Sequence, residues 1–388
     1  MSNVKTLDTI FSQAVDSKAM PGIVATAATD KGVIYEGAFG KRELGKDATM
    51  TPDTVVWIAS MTKAITSAAA MQLVERGKLS LERPASDVVP ELARAQVLDG
   101  FDAAGKPRLR PPKRPISLRH LLTHTAGFSY EIWNPAIIQY QTTTGTPGIT
   151  TCTNAALTTP LMFDPGDRWE YGIGIDWAGK MVEAVSGQKL DRYFQENIVG
   201  PLGMKDTAFK IGPSQRPRLA TVHQRGADGA LAPIEFEIPQ DPEFHMGGGG
   251  LYGTAADYLA FARMIMQDGR SPGGQLLRPE TVTLMAQNHI GPLEIGAFKT
   301  AIPALSNDVE LFPGMSKKWG LSFLINPQPL PTGRAAGSLA WAGLANTYFW
   351  IDRSQRVCGV FLSQLLPFYD HTAIDLLVKF ETEVYRAL

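Results

Sequence analysis

The 388-residue sequence is poor in several features that would place it at once. It has two cysteines, Cys152 and Cys358, far apart and outside any CxxC or Cys/His grouping. Neither a disulfide framework nor a structural zinc site is expected, and both read as buried free thiols. Charge of one sign is also lacking: 37 Lys and Arg stand against 38 Asp and Glu, a formal net charge of −1. Phosphate binding needs a cationic face, so composition makes no case for a nucleic-acid partner. The one basic run, Lys106 to Arg114, holds five basic residues broken by three prolines and reads as a solvated loop. No stretch of about 18 apolar residues occurs. The helix-like N-terminus carries Asp8 and Asp16 where a secretion signal would need an apolar core. The expectation is a soluble, cytoplasmic protein with no membrane partner.

Common catalytic and cofactor motifs are missing too. There is no G-x-S-x-G, the turn that exposes the serine of α/β-hydrolases. There is no GxxxxGK[ST]; the glycines 247–250 lead into Leu-Tyr-Gly. His120 and His124 are spaced four apart without the glutamate of HExxH, so no metal is predicted there. Nothing suggests a nucleotide or flavin, and no cofactor is expected.

What is present is enough apolar material, 44% of residues with 9% aromatic, to bury a sizeable core. At roughly 150 residues per domain the length fits one two-lobed unit or two domains. Helical spacing marks residues 5–18, and strand-like runs follow at 23–29 and 33–40, joined by Asp30-Lys31-Gly32. A helix runs from Met61 to Arg76 and stops at Gly77. Residues 85–245 are rich in Pro and Gly, with short helices at 118–123, 175–185 and 190–198 between irregular stretches. A helix follows at 255–267 and another begins at Pro279. Strands at 320–325, 339–342, 347–351 and 357–362 precede a closing helix over 373–388. Strands at both ends with helices between predict an α+β fold: one antiparallel sheet assembled from both termini and flanked by helices. The expected domains are 1–84 with 246–388, and a mostly helical insertion, 85–245, with a site in the cleft between them.

The informative motif is Ser60-Met61-Thr62-Lys63. From 18 Ser and 17 Lys about one S-x-x-K is expected by chance, and three occur, at Ser2, Ser60 and Ser186. Only Ser60 stands where a strand-like run, Val55 to Ile58, hands over to a strong helix. Ser60 at or near the N-cap would share a face with Lys63 one turn on. Helix-end N–H groups and the dipole would favour negative charge at the serine oxygen and lower the lysine pKa. The plain alternative is a serine cap with a solvated lysine.

Further motifs follow in order: His120-Leu121-Leu122-Thr123-His124-Thr125-Ala126-Gly127, then Asp164-Pro165-Gly166 with Tyr171, then Gly248-Gly249-Gly250-Leu251-Tyr252-Gly253-Thr254. Over residues 5–385 this order resembles the serine β-lactamase and penicillin-binding-protein superfamily, most of all its class C β-lactamase-like esterases, the family VIII carboxylesterases. The resemblance implies a β-lactamase/transpeptidase-like fold, Ser60 as acyl-forming nucleophile, and Lys63 and Tyr171 as its proton partners. Two departures stand out. The Asn usually found two residues after the tyrosine is replaced, since Tyr171-Gly172-Ile173 stands there. Lys-Thr-Gly has no proper counterpart, and Trp341-Ala342-Gly343 matches the esterase branch instead. Tryptophan removes a cation that would grip a substrate carboxylate and supplies an apolar wall. By the same correspondence, Gly343 leaves room for a carbonyl, and the N–H groups of Ser60 and Leu344 would form the oxyanion hole. Tyr130, with Trp133 and Tyr140, is expected to line the cleft.

The resulting expectation is a serine carboxylesterase acting on small, uncharged, short-chain esters. A β-lactamase or D-Ala-peptide hydrolase, an acyltransferase using the same acyl-enzyme, and an inactive binding relative are the alternatives. Oligomeric state is not legible.

Overall fold

A computed structural model describes residues 2–388, with side chains from Lys5 onward. A seven-stranded sheet forms its centre: β1 (Gly22–Thr29), β2 (Gly32–Gly40), β3 (Lys318–Trp319), β4 (Leu324–Asn326), β5 (Ser338–Gly343), β6 (Thr347–Asp352) and β7 (Val357–Leu362). The order across it is β3-β4-β5-β6-β7-β1-β2, every neighbour antiparallel. The two N-terminal strands join the C-terminal ones where β1 pairs with β7, Val24 opposite Leu362 through Thr29 opposite Val357. The expected sheet built from both termini is the observed one.

Helices cover both faces, so β1 is buried on both sides and its side chains divide by alternation. Ile23, Ala25 and Ala27 pack with Leu7 and Phe11 of α1 (Ser2–Asp16) and with Leu376 and Phe380 of the C-terminal helix, His371–Arg386. Val24 and Ala28 face the other layer, made of α2 (Thr62–Glu75) and the helix Ala255–Met266. Small residues on β1 allow this close double cover. Gly359 on β7 does the same for Trp350, whose ring occupies the space a Cβ would take. Caps set the helix starts: Asp370 accepts from the N–H groups of Thr372 and Ala373, and Thr254 accepts from that of Asp257.

Two readings of the middle of the chain need correction. The run from Lys106 to Arg114 is anchored: Pro107–Arg110 pairs with Val97–Phe101, and Arg110 grips Asp164 with two 2.9 Å bonds. The stretch 128–149 contains a helix, Pro135–Thr144, started by Asn134 and Pro135 and stopped by Gly145 at φ +72°. The expected strand over 320–325 is instead two short ones, because the chain turns at Ser322, φ +71°, between Trp319 and Leu324. Among the described residues no helix is long and apolar enough to cross a membrane.

Candidate active site

The strand-to-helix handover at Ser60 is sharper than the sequence indicated. Val56–Trp57 pairs with Tyr252–Gly253, and the chain then turns at Ala59, buried, with φ +46°. A left-handed conformation is costly for a residue with a Cβ and survives only where its surroundings enforce it. A single 3₁₀ turn, Ala59–Met61, leads into α2, whose cap position falls on Met61. Ser60 is therefore not the N-cap. Its hydroxyl is released from capping and accepts a hydrogen bond from Lys63 Nζ at 3.0 Å.

Lys63 is completely buried. Its Nζ also donates to Tyr130 Oη at 3.0 Å and to the Gly248 carbonyl at 2.5 Å, and it stands 4.7 Å from the centre of the Tyr171 ring. When protonated, the amine has three N–H groups and these three acceptors take them all; when neutral, its lone pair can face the Ser60 hydroxyl. Burial pushes the lysine well below its ordinary pKa, while the charge of Asp176 pulls it partly back.

Tyr171 closes the cluster. Its phenol bonds the Ser60 hydroxyl and accepts from Trp341 Nε1–H at 3.0 Å. Burial raises its pKa, and those two bonds oppose the rise. Its ring lies parallel to Phe298 with centroids 6.2 Å apart. The loop before it is clamped by Asp164, which accepts from Arg110 and from the Lys113 N–H, so its carboxyl sits far below the usual range. After it, the backbone of Gly172 presses on the Phe128 carbonyl so closely that no Cβ would fit. His124 is buried beside Tyr171, and burial together with the Lys63 charge keeps it neutral.

On the facing side, Gly343 ends β5 against the turn at Ile58 and Ala59. A Cβ there would overlap the Ile58 carbonyl and Thr347 Oγ1. The contact brings the end of β5 against Ile58 and Ala59, the two residues that precede Ser60. Trp341 has a second part beyond the expected wall: its N–H holds the phenol.

Most expected site residues meet here: Ser60, Lys63, Tyr130, Tyr171, Trp341 and Gly343. Tyr130 binds Lys63 directly, where the sequence suggested only a cleft wall. Trp133 contacts Tyr130 and Tyr171, whereas Tyr140 lines a separate cavity with Phe128 and Trp177. The sequence reading passed over Asp176, in the first turn of α3 (Gly174–Ser186) and 1% exposed. Its signal was its position five residues after Tyr171 on the same approach. Among the described residues no group of three or more His, Cys, Asp or Glu could hold a metal.

Sheet, helical cover and the helix that begins after Ser60 together define the β-lactamase/transpeptidase-like fold, and the class is that of the serine β-lactamase-like enzymes. The β-lactamase family profile matches residues 7–381, and the chain belongs to that family. It is 33% identical to the monacolin J acid methylbutanoyltransferase of Aspergillus terreus, over 98% of this chain and 95% of that protein. It is equally 33% identical to the lovastatin esterase of Penicillium rubens, over 98% of both. A mutant simvastatin synthase from Aspergillus terreus superposes with a TM-score of 0.88 at 33% identity, covering 99% of this chain and 97% of that one.

Proposed function

We propose that the protein transfers acyl groups from uncharged carboxylic esters through an acyl-enzyme on Ser60, hydrolysing them as a carboxylesterase of the family VIII type. One observation carries this reading: Lys63 Nζ, buried and depressed in pKa, bonds the hydroxyl of Ser60 at 3.0 Å within a cage of two phenols and a carbonyl. As Ser60 Oγ attacks the ester carbonyl, its proton passes to Lys63, and the oxyanion is held by the Ser60 and Leu344 amides. When the C–O bond to the alcohol breaks, Tyr171 hands a proton to the leaving oxygen and is resupplied by Lys63. Water then attacks the acyl-enzyme by the same path in reverse.

A second reading uses an acceptor alcohol in place of water. It is favoured by the methylbutanoyltransferase and the esterase matching this chain equally well. Labelling with a fluorophosphonate, followed by peptide mass spectrometry, tests the shared step: the adduct is expected on Ser60 and absent in Ser60→Ala. An unlabelled Ser60 overturns the reading. Adding an alcohol acceptor during p-nitrophenyl butyrate turnover then separates hydrolysis from transfer by the ester formed.

A further inference from the structure

One buried carboxylate in the site has no part in the steps above. Asp176 projects from α3 toward the glycine turn, where its Oδ1 accepts from the Gly248 N–H at 2.8 Å. The carbonyl of that same residue accepts from Lys63 Nζ at 2.5 Å. One residue, Gly248, thus links carboxylate and lysine, through its N–H on one side of the Cα and its carbonyl on the other. Oδ2 is buried without any hydrogen-bond partner, although a carboxylate in a dry site normally has all its acceptors used. The glycine permits the approach, since a Cβ on Gly248 would stand 2.5 Å from Oδ2. The other groups acting on this region are Tyr130, Tyr171 and Cys152, all neutral at neutral pH, His124, neutral by burial, and Glu131, whose charge acts on Tyr130 while Asp176 is the charge acting on Lys63. Asp176 is therefore the anion facing Lys63.

We propose that Asp176 is the charge partner of Lys63, a positioning residue that acts through Gly248 to stabilise the ammonium formed when Ser60 gives up its proton. The inference rests on Ser60 and Lys63 being nucleophile and base. Without a counter-charge, the proton arriving on a fully buried amine would create an isolated buried cation, which is strongly disfavoured. With Asp176 ionised, the same transfer makes a compensated pair. Burial raises the Asp176 carboxyl while Lys63 lowers it, so each group sets the other's proton affinity.

The test is Asp176→Asn, which keeps an oxygen for the Gly248 N–H and removes only the charge. Lys63 then holds its proton less tightly. The acid limb of kcat/KM against pH for p-nitrophenyl butyrate is expected to move down by about one unit, and the plateau to fall about tenfold or more as the base weakens. Asp176→Glu, which keeps the charge, should leave the limb near the wild-type position. A purely structural role lowers the plateau without moving the limb, and that result overturns the proposal. If the asparagine variant does not fold, Gly248→Ala drives the retained carboxylate away from the turn and should move the limb in the same direction; an unmoved limb there overturns the proposal equally. Fluorophosphonate labelling of wild-type Ser60 separates the two levels. A labelled serine with an unshifted limb removes Asp176 alone, whereas an unlabelled serine removes the reading beneath it.

Discussion

At the scale of single residues, the site is three hydroxyl groups arranged around one buried nitrogen. Tyr171 has bonds to Ser60 and Trp341, while Tyr130 has its bond to Lys63, so the two phenols are not equivalent. Of the two phenols, only Tyr171 interacts with the Ser60 hydroxyl. Tyr171→Phe should lower kcat for p-nitrophenyl butyrate by about 10²- to 10⁴-fold, the usual worth of a placed proton donor, with KM little changed. Steady-state kinetics at several pH values checks this; a fall confined to KM would make Tyr171 a wall. The same profile carries the sign of the lysine shift. Because the neutral amine is the base and burial lowers its pKa, activity should rise with pH well below the range of an exposed lysine.

At the scale of elements, S-x-x-K on a helix start was legible because chemistry and secondary structure coincide in four residues. The left-handed Ala59 that frees Ser60 from capping was not, since an alanine gives no local hint of positive φ. Asp176 was hidden for a different reason: a lone Asp in a helix's first turn looks like a dipole partner, and only the fold brings Gly248 to it. Most strands of the sheet were readable from apolar runs bounded by turn residues; the one expected over 320–325 was not, because of the turn at Ser322. The role of Lys106 to Arg114 was not, because its partner Asp164 lies 54 positions from Arg110. The C-terminal helix is tied to the segment before β5 by a similar long-range pair, Arg334 with Glu381, respectively 4% and 3% exposed at the side chain. Glu381→Ala leaves an uncompensated buried guanidinium and should cost about 3–5 kcal/mol in urea unfolding. Arg334→Met with Glu381→Leu removes both charges and should recover most of that loss. If the double variant were as unstable as the single one, packing and not charge would hold the helix.

At the scale of the whole molecule, sheet edge and helical cover bring residues from widely separated segments, 60–63, 130, 171, 248 and 341–344, to one place. Their summed charge decides which substrates suit it. Lys63, when protonated, has all its donors used internally, and the wall beside the cluster is Trp341, whose N–H is itself bonded to Tyr171. Lys299, in the nearest Lys-Thr string, is exposed and paired with Asp308. A carboxylate on the substrate would lose water without gaining a partner, at a cost on the order of 1–3 kcal/mol for an unpaired buried acceptor and more for a charge. Penicillins and cephalosporins carry such a carboxylate beside the reacting amide, and simple esters do not. A chromogenic cephalosporin should therefore be hydrolysed more slowly than p-nitrophenyl butyrate. The sharper comparison uses one β-lactam ring with and without charge. The methyl ester of that cephalosporin should be opened about tenfold faster than the free acid, measured as kcat/KM for ring opening, because only the carboxylate differs. Equal rates, or a faster free acid, would mean that a cation reaches the cleft from elsewhere in the fold and that Trp341 does not exclude charge.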